Sequence, residues 1–342
     1  MSIIKNEIPI LEFDTEQTAV ISPVHENLNL VLPKKCVFAF LGEYIDEYAE
    51  KTGAQIVSYF ISMTKKYPVY ITTYKGEKIV LCQAPVGAAA ATQILDWLIG
   101  YGVREIISAG SCGALEKFAE GTFLIPEKAL RDEGTSYHYA APSRFMEINK
   151  RARKAIEKTI LEHGMKYQEV FTWSTDGFYR ETKEKVAYRK AEGCSVVEME
   201  CSALAACAAF RDATWGMILY TADSLAEVDR YDERNWGGNA YEYALILCLD
   251  SVLDPFPVPE KNGLLVLGEQ DEVLLADYTR HHSKQLDSVK CALEMAHEQF
   301  PDAYFHVAMT GSGAKSLSEK GTTVYDISGA AVCRQKQIFS RF

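Results

Sequence analysis

Two glutamates that flank a methionine, Glu198-Met199-Glu200, are the residues of this sequence best suited to do chemistry. The preceding run Ser195-Val196-Val197 is typical of the end of a buried strand, and the small and apolar residues from Cys201 to Phe210 favour a buried helix. Because such a junction offers little water, both acids need partners or a ligand, and the vicinal hydroxyls of a ribose are suitable donors. The alternative is a pair of acids at a helix N-terminus, where the macrodipole favours negative charge.

Three further motifs combine small residues with an aromatic residue or an acid. They are Ile106–Leu115 with Gly110-Ser111 at its centre, Ser174–Tyr179 with Phe178, and Leu219–Ser224 with Asp223. We predict one strand from Val103 to Ala109, ending at the glycine, and a last central strand from Thr214 to Thr221, ending before Asp223. An acid at the carboxyl end of a parallel strand lies where open α/β sheets bind ligands. The alternative for Asp223 is a helix N-cap.

Taken in order, the four motifs resemble those of the nucleoside phosphorylase and nucleosidase superfamily, which includes the hexameric purine and uridine phosphorylases. The resemblance covers residues 35–253 approximately. Each motif alone is a weak signal, whereas four in the family's order are a strong one. The resemblance implies an α/β fold with a mixed, largely parallel central sheet that curls into a barrel and is surrounded by helices. It also implies a site at the carboxyl ends of the strands.

The resemblance assigns roles to the acids and the methionine. In the family the Glu-Met-Glu segment binds ribose, which implies that Glu198, Met199 and Glu200 are ribose-binding residues. Purine-acting relatives have their general acid at the position of Asp223, where it protonates or hydrogen-bonds the purine N7. Asp223 is therefore the expected catalytic residue.

Two aromatic segments are expected near the base. The family stacks an aromatic side chain on the nucleobase, which implies this role for Phe178, with Tyr179 and Arg180 supplying further groups. The segment with Arg131 and His138 is polar and unperiodic, so we predict a loop, and it resembles a loop of the uridine phosphorylases. We expect this loop at the site; the alternative for His138 is to brace a loop at a dimer contact.

A phosphate-binding set is also implied, with two departures from the family pattern. A strand, a glycine and a helix follow one another after residue 35, an arrangement whose backbone amides can bind an anion. The residues expected to hold phosphate are Gly42, Lys65, Gly110 and Ser111. Family members place arginines at two positions that are Asp46 and Ser108 here. Each missing charged hydrogen bond forfeits about 1.5–3 kcal/mol of anion affinity.

The expected function is that of a nucleoside phosphorylase of uridine or purine type, a pentosyltransferase. It cleaves the N-glycosidic bond of a purine or pyrimidine nucleoside with phosphate to give free base and ribose 1-phosphate. Phosphate is a co-substrate, and no other cofactor is expected. Because the two arginines are missing, a nucleosidase that uses water remains an alternative, as does a catalytically reduced nucleoside-binding protein.

Composition limits the partners and the compartment. The net charge of −11 over 342 residues argues against nucleic acid or an anionic membrane as the main partner. The nine cysteines show no metal-ligand spacing with the seven histidines, so we expect no metal and a reducing, cytoplasmic location. No signal-peptide pattern or membrane-spanning run is found. The family resemblance implies a homo-oligomer, a dimer or a hexamer.

Four segments are predicted along the chain: an N-terminal arm at 1–34, the catalytic domain at 35–254, a proline-rich linker at 255–263, and a small α+β piece at 264–342. In the last piece we predict strands at 264–267, 273–278 and 306–309 and a helix at 283–299. The segments Thr279–His282 and Met309–Ala314 faintly resemble the actin-like ATPases that activate acyl-CoA dehydratases. That fold's first phosphate loop is absent, so we predict no ATP site and assign this piece no chemistry.

Overall fold

The computed structural model describes residues 3, 5–254, 261–267, 273–280 and 299, and of 261–267 and 273–280 it describes only the backbone. The chain divides into two compact units, Met1–Phe256 and Pro257–Phe342. The predicted strand at 306–309, the predicted helix at 283–299 except for residue 299, and the segment Met309–Ala314 lie outside the described residues. Residues 255–260 of the predicted linker and residues 281–282 of the segment Thr279–His282 also lie outside the described residues.

The described part of the first unit contains ten strands and six α-helices. The strands are β1 (Lys35–Ala39), β2 (Gln55–Ile61), β3 (Lys66–Tyr74), β4 (Glu77–Gln83), β5 (Glu105–Ala114), β6 (Phe123–Asp132), β7 (Phe145–Glu147), β8 (Gln168–Thr175), β9 (Cys194–Glu198) and β10 (Thr214–Ser224). The helices are α1 (Tyr44–Thr52), α2 (Ala88–Gly100), α3 (Lys150–Glu162), α4 (Lys183–Ala191), α5 (Cys201–Phe210) and α6 (Tyr241–Leu253). Short 3-10 helices cover Pro9–Leu11, Thr135–His138, Phe178–Arg180 and Gly238–Ala240.

Five strands close into a barrel. Around the ring, β5 pairs with β10, β10 with β6, β6 with β8, β8 with β9, and β9 again with β5. Three of these pairings are parallel, and those of β10 with β6 and of β9 with β5 are antiparallel. From β5 the sheet continues through β1, β4, β3 and β2, while β7 pairs with β6. The predicted α/β fold, with a mixed sheet that curls into a barrel surrounded by helices, is confirmed.

Two helices show how the sequence determines the elements around the barrel. Helix α5 is buried from Cys201 to Ala208, as its small and apolar residues predict. Helix α3 begins later than the amphipathic pattern of residues 144–163 predicts. The side chain of Asn149 accepts hydrogen bonds from two backbone nitrogens of the first turn and caps the helix there, so residues 145–147 are free to form β7.

Two central strands run further than predicted. We expected β5 to stop before Gly110, but it continues to Ala114 because β10 pairs with it along this length. A Cβ atom at Gly110 would lie 3.0 Å from Met217 Cε and 3.2 Å from Phe40 Cβ, so the glycine permits close packing inside a strand. Strand β10 likewise includes Asp223, which is therefore not a helix N-cap.

The described part of the second unit is an antiparallel hairpin of β11 (Lys261–Leu267) and β12 (Val273–Arg280). Strand β11 begins at Lys261, so its first three residues lie within the predicted linker, which ends at residue 263. In the part of the chain that the structure describes, no helix combines the length and the apolar character needed to cross a bilayer.

Candidate active site

Glu198, the last residue of β9, is buried, and four donors converge on its carboxylate. Oε1 accepts from the hydroxyls of Thr172 at 3.1 Å and Ser174 at 2.5 Å. Oε2 accepts from the backbone nitrogens of Glu200 at 2.7 Å and Cys201 at 2.6 Å. A carboxylate offers about four acceptor sites, and all are used here. Glu198 therefore holds the junction of β9 and α5, and the ribose-binding role predicted for it does not fit this arrangement.

Glu200, the second acid of the motif, is held by a backbone group from a distant part of the chain. Its Oε1 accepts from the backbone nitrogen of Gly87, which precedes α2, at 2.6 Å. Gly87 has a φ of +103°, which side chains rarely permit, so a glycine is needed to direct this N–H at Glu200. Burial and the nearby charge of Glu198 raise the pKa of Glu200 to about 8. Met199 lies half-buried between the two acids.

Asp223 lies near the end of β10 and is buried. A Cβ atom at Gly113 would lie 3.3 Å from Asp223 Oδ1 and 3.0 Å from Val197 Cγ1, so the bare glycine makes room for the acid beside the end of β9. Burial raises the pKa of Asp223, while the neighbouring Tyr231 hydroxyl and the charge of Arg234 oppose that rise.

The environment of Cys112 shows that the acids from two strands converge. Its thiol is buried beneath the site and lies 3.6 Å from the carbonyl oxygen of Tyr220. Burial raises the pKa of this thiol, and the charges of Glu198 and Asp223 raise it further. Among the described residues no group of three or more His, Cys, Asp or Glu side chains is arranged to hold a metal ion.

Glu181 is an acidic residue of the site that the sequence motifs did not indicate. It follows the 3-10 helix Phe178–Arg180 and is partly buried. Burial, with the charge of Asp223 next in importance, raises the pKa of Glu181 to about 7, while Lys185 lowers it. The available signal was an acid three residues after the expected stacking aromatic, but the sequence does not show which way that side chain points.

The predicted base-binding residues lie together on the 3-10 helix at the end of β8. Phe178 is 40% exposed, and its ring meets that of Tyr179 edge-on with 5.0 Å between centroids. Tyr179 is 93% exposed and Arg180 is exposed as well. Phe178 keeps an accessible aromatic face at the end of β8 that is available for stacking, and its role at the base stays a prediction.

The four predicted phosphate-binding residues lie at one edge of the sheet. Gly42 follows β1, and β1 pairs with β5, which carries Gly110 and an exposed Ser111. Lys65, in the turn after β2, donates from Nζ to Gln83 Oε1 at 3.0 Å, at the end of β4 next to β1.

The two residues that replace family arginines have internal partners. Asp46 Oδ1 accepts from the Tyr70 hydroxyl at 2.9 Å, which ties α1 to β3. Ser108 is fully buried, and its hydroxyl accepts from the Trp215 indole nitrogen at 2.9 Å. Neither position can supply positive charge to an anion.

Arg131 is the last but one residue of β6 rather than part of a loop, and it is buried. Its guanidinium donates to Ser136 Oγ at 2.9 Å, to Ser143 Oγ at 2.8 Å and to two backbone carbonyls, and it lies over the Tyr137 ring. Since these bonds occupy most of its donors, Arg131 braces the following segment and is not presented to a ligand. His138 is exposed at the end of the 3-10 helix in that segment.

A buried hydrogen-bond chain connects this braced segment to the acids, and the sequence motifs did not reveal it. Glu133 accepts from the backbone nitrogens of Thr135 at 2.6 Å and Ser136 at 3.0 Å, and from the Ser202 hydroxyl at 2.8 Å. The Ser202 backbone nitrogen in turn donates to Ser174 Oγ at 3.0 Å. Because Ser174 also donates to Glu198, the segment and the β9–α5 junction are fixed together.

A closed mixed barrel, with buried acids at the strand ends and an accessible aromatic beside them, is the architecture of the nucleoside phosphorylases and nucleosidases. The chain belongs to the phosphorylase superfamily, whose sequence model matches residues 34–248.

Individual relatives are distant and match part of their length. Over 136 residues the chain is 28% identical to the uncharacterized protein R802 of Acanthamoeba polyphaga mimivirus, covering 39% of this chain and 52% of that protein. It is 28% identical to a guanosine phosphorylase of Halorubrum lacusprofundi, covering 24% of this chain and 34% of the relative. It is 25% identical to a uridine phosphorylase of Haemophilus influenzae, covering 35% of this chain and 48% of that protein. The chain thus spans about half, or less, of the length of these curated relatives.

Solved structures share the fold at low identity. The uridine phosphorylase of Vibrio fischeri ES114 superposes with a TM-score of 0.56 at 24% identity, over 65% of this chain and 92% of that one. The AMP nucleosidase of Bacteroides thetaiotaomicron superposes with a TM-score of 0.53 at 22% identity, over 65% of this chain and 87% of that one.

Proposed function

We propose that this chain cleaves the N-glycosidic bond of a nucleoside with phosphate, giving free base and ribose 1-phosphate. The observation that carries the proposal is the burial of two acids: Glu200, two residues beyond the end of β9, and Asp223, near the end of β10, with Gly113 lying against both Val197 of β9 and Asp223. Membership of the phosphorylase superfamily supports the same reaction class. A homo-oligomeric enzyme, with phosphate as co-substrate and no other cofactor, is part of this proposal.

Each group has a distinct task in this reaction. Glu200, with Met199 beside it, binds the ribose hydroxyls, and Phe178 stacks on the base. Asp223 donates a proton to a base nitrogen as the bond between C1′ and the base breaks and its electron pair passes to the base. The raised pKa of Asp223 favours the protonated form that a general acid requires. A phosphate oxygen then bonds to C1′ of the oxocarbenium-like sugar, which the surrounding carboxylates stabilise.

Phosphate binding rests on few groups. The turn at Gly42, the Ser111 hydroxyl and Lys65 lie at one sheet edge and can hold the anion, with Gly110 allowing close approach. Arg180 is exposed next to the site and is the arginine best able to add charge, since the guanidinium of Arg131 is used internally. We therefore expect weak phosphate affinity.

Hydrolysis is the second candidate, and a specific observation favours it. Asp46 and Ser108 bring no positive charge to the anion edge, and the acids at the barrel end disfavour a phosphate dianion. A water molecule is neutral, so hydrolysis does not need positive charge at this edge of the sheet. The fold is shared with the AMP nucleosidase of Bacteroides thetaiotaomicron as well as with phosphorylases. A nucleoside-binding protein with reduced catalysis is the third candidate.

The experiment is to incubate a panel of purine and pyrimidine nucleosides with the full chain, with and without phosphate, and to identify the sugar product. Ribose 1-phosphate, formed at a rate that rises with phosphate, supports the proposal. Free ribose at a phosphate-independent rate makes the protein a nucleosidase. Binding of a nucleoside without any turnover supports the third candidate.

A further inference from the structure

The carboxylate of Glu181 is a hydrogen-bond acceptor that receives no hydrogen bond from the described residues. In the part of the chain that the structure describes, no hydrogen bond or ion pair reaches its carboxylate. Lys185, the cation that affects it, pairs instead with Asp132 at 2.7 Å. A partly buried carboxylate without a donor is unfavourable, because its lost hydration is not replaced. A ligand that brings a donor to Glu181 therefore gains affinity.

Glu181 and Asp223 come from two parts of the chain that meet, because Lys183, two residues after Glu181, pairs with Asp229 in the loop that follows β10. Asp223 is on β10, and Glu181 follows the 3-10 helix that carries Phe178. The Tyr231 hydroxyl contacts the Asp223 carboxyl group, and burial together with the charge of Asp223 raises the pKa of Glu181, so Tyr231 and Glu181 both lie near Asp223. No hydrogen bond joins the two carboxyl groups among the described residues, so both are available to the edge of one base.

The chemistry of purines defines what lies at that edge. The nitrogen N7 and the substituent at position 6 are adjacent on the same edge of the ring. Adenine presents a 6-amino donor there, whereas guanine and hypoxanthine present a 6-oxo acceptor. If Asp223 protonates N7, as in the proposed function on which this step rests, a carboxyl beside Asp223 meets the substituent at position 6.

We propose that Glu181 determines which purine nucleoside is cleaved by reading the substituent at position 6. As a carboxylate it accepts from a 6-amino group and repels a 6-oxo group. As a carboxylic acid it donates to a 6-oxo group. Preference for adenosine over inosine therefore follows the ionisation of this one side chain.

The direction of the pH dependence follows from the charged groups around Glu181. They are Asp223 on β10, Tyr231 in the loop after it, and Lys185 on α4. Burial and Asp223 together place the pKa of Glu181 at about 7, against the opposing charge of Lys185. The ratio of kcat/KM for adenosine to that for inosine should thus rise as the pH increases through 7. Titration of Asp223 affects both nucleosides and cancels in the ratio.

The test compares adenosine and inosine, which differ only at position 6, at pH 6 and pH 8. In the wild type we expect the ratio to rise roughly 10-fold or more, the effect of one charged hydrogen bond. Glu181→Gln carries both a donor and an acceptor, so its ratio should be close to 1 and independent of pH. Glu184→Gln, an exposed change three residues away, should keep the wild-type ratio at both pH values.

Two results overturn the inference. One is a Glu181→Gln variant that retains the wild-type ratio and its pH dependence. The other is a variant that loses activity equally on both nucleosides at both pH values, as a structural role requires. If the wild type cleaves neither nucleoside, the proposed function fails separately. In that case, calorimetry of free adenine and hypoxanthine binding tests the role of Glu181. A preference for adenine at pH 8 that Glu181→Gln abolishes supports the inference. Equal affinity of the wild type for both bases overturns it.

Discussion

The backbone nitrogen of Gly87 donates to Glu200 Oε1 at 2.6 Å, a bond that joins segments 113 residues apart in sequence. It fixes the acid at the start of α5 to the start of α2. Since Glu198 is fully engaged within the β9–α5 junction, the Gly87 bond helps to position Glu200, the acid that remains available for a sugar.

Gly87→Ala should therefore affect ligand binding as well as stability. A side chain at a φ of +103° is strained, and we expect the free energy of unfolding to fall by about 1–2 kcal/mol. The strain should also displace the donor of Glu200 and raise KM for nucleosides. Gly164→Ala is the matched control, because Gly164 has a φ of +68° in open space at the end of α3. Equal KM changes in both variants, measured beside urea unfolding, would disprove the link to Glu200.

The pKa of Glu200 should make stability depend on pH. Between its unfolded pKa near 4.5 and its folded pKa of about 8, the folded chain binds the additional proton. The free energy of unfolding should fall as the pH rises through this window, by up to about 1.4 kcal/mol per pH unit. Glu200→Gln should flatten the slope measured by urea unfolding at pH 5 to 8, while Glu184→Gln should not. An unchanged slope in Glu200→Gln would contradict the assigned pKa.

Asp223→Asn should slow turnover of purine nucleosides by roughly 10²–10⁴-fold, the effect of losing a general acid. The amide keeps the size of the side chain, so the fold should persist. Asp254→Asn, at the end of α6, is the control and should retain wild-type rates. Steady-state kinetics of both variants decide the matter, and an Asp223→Asn enzyme with intact purine turnover removes Asp223 from the mechanism.

Tyr231→Phe should shift the pH profile. The Tyr231 hydroxyl lowers the pKa of Asp223, so its removal should raise that pKa. Because the acid acts in its protonated form, the decline of kcat/KM at high pH should move to higher pH. The exposed Tyr243→Phe provides the control. A shift to lower pH, or none, would show that the phenol does not stabilise the ionised form of Asp223.

Strand β2 and the turn after it should form part of an interface between copies of the chain. This edge strand exposes Ile56, Tyr59 and Ile61, and Met63 follows in the turn. Replacing Ile61 and Met63 by lysine should reduce the mass measured by light scattering. Leu161→Lys, at an exposed apolar residue of α3, should leave the mass unchanged. A wild-type chain that is already monomeric would disprove this interface.

The sequence predicted those elements that are determined by their own residues. The bounds of α5, Cys201–Phe210, were predicted correctly because a buried helix needs small and apolar residues throughout. The end of β5 was predicted too early at Gly110, because pairing with β10 decides how far it runs, and that pairing depends on residues about a hundred positions away.

The same distinction separates the site residues. Asp223 and Glu200 belong to short motifs that single them out, whereas Glu181 is identified only by its proximity to Asp223. The buried role of Arg131 depends on hydroxyls and carbonyls of residues 136–143 that fold back on it. No local pattern encodes such a return of the chain, so the sequence predicts a ligand-binding arginine where the structure has one that braces the chain.

The closure of the barrel by β5 and β10 has a consequence for synthesis of the chain. Strand β5 ends at Ala114, and its partner β10 is complete only at Ser224. At about 5–20 residues per second, translation separates the two strands by roughly 5–20 s. During that interval β5 presents an unpaired edge outside the ribosome, and its apolar stretch Ile106-Ile107 can join neighbouring chains. Aggregation of nascent chains should therefore respond to translation speed between residues 115 and 224, and to chaperones that act on the ribosome.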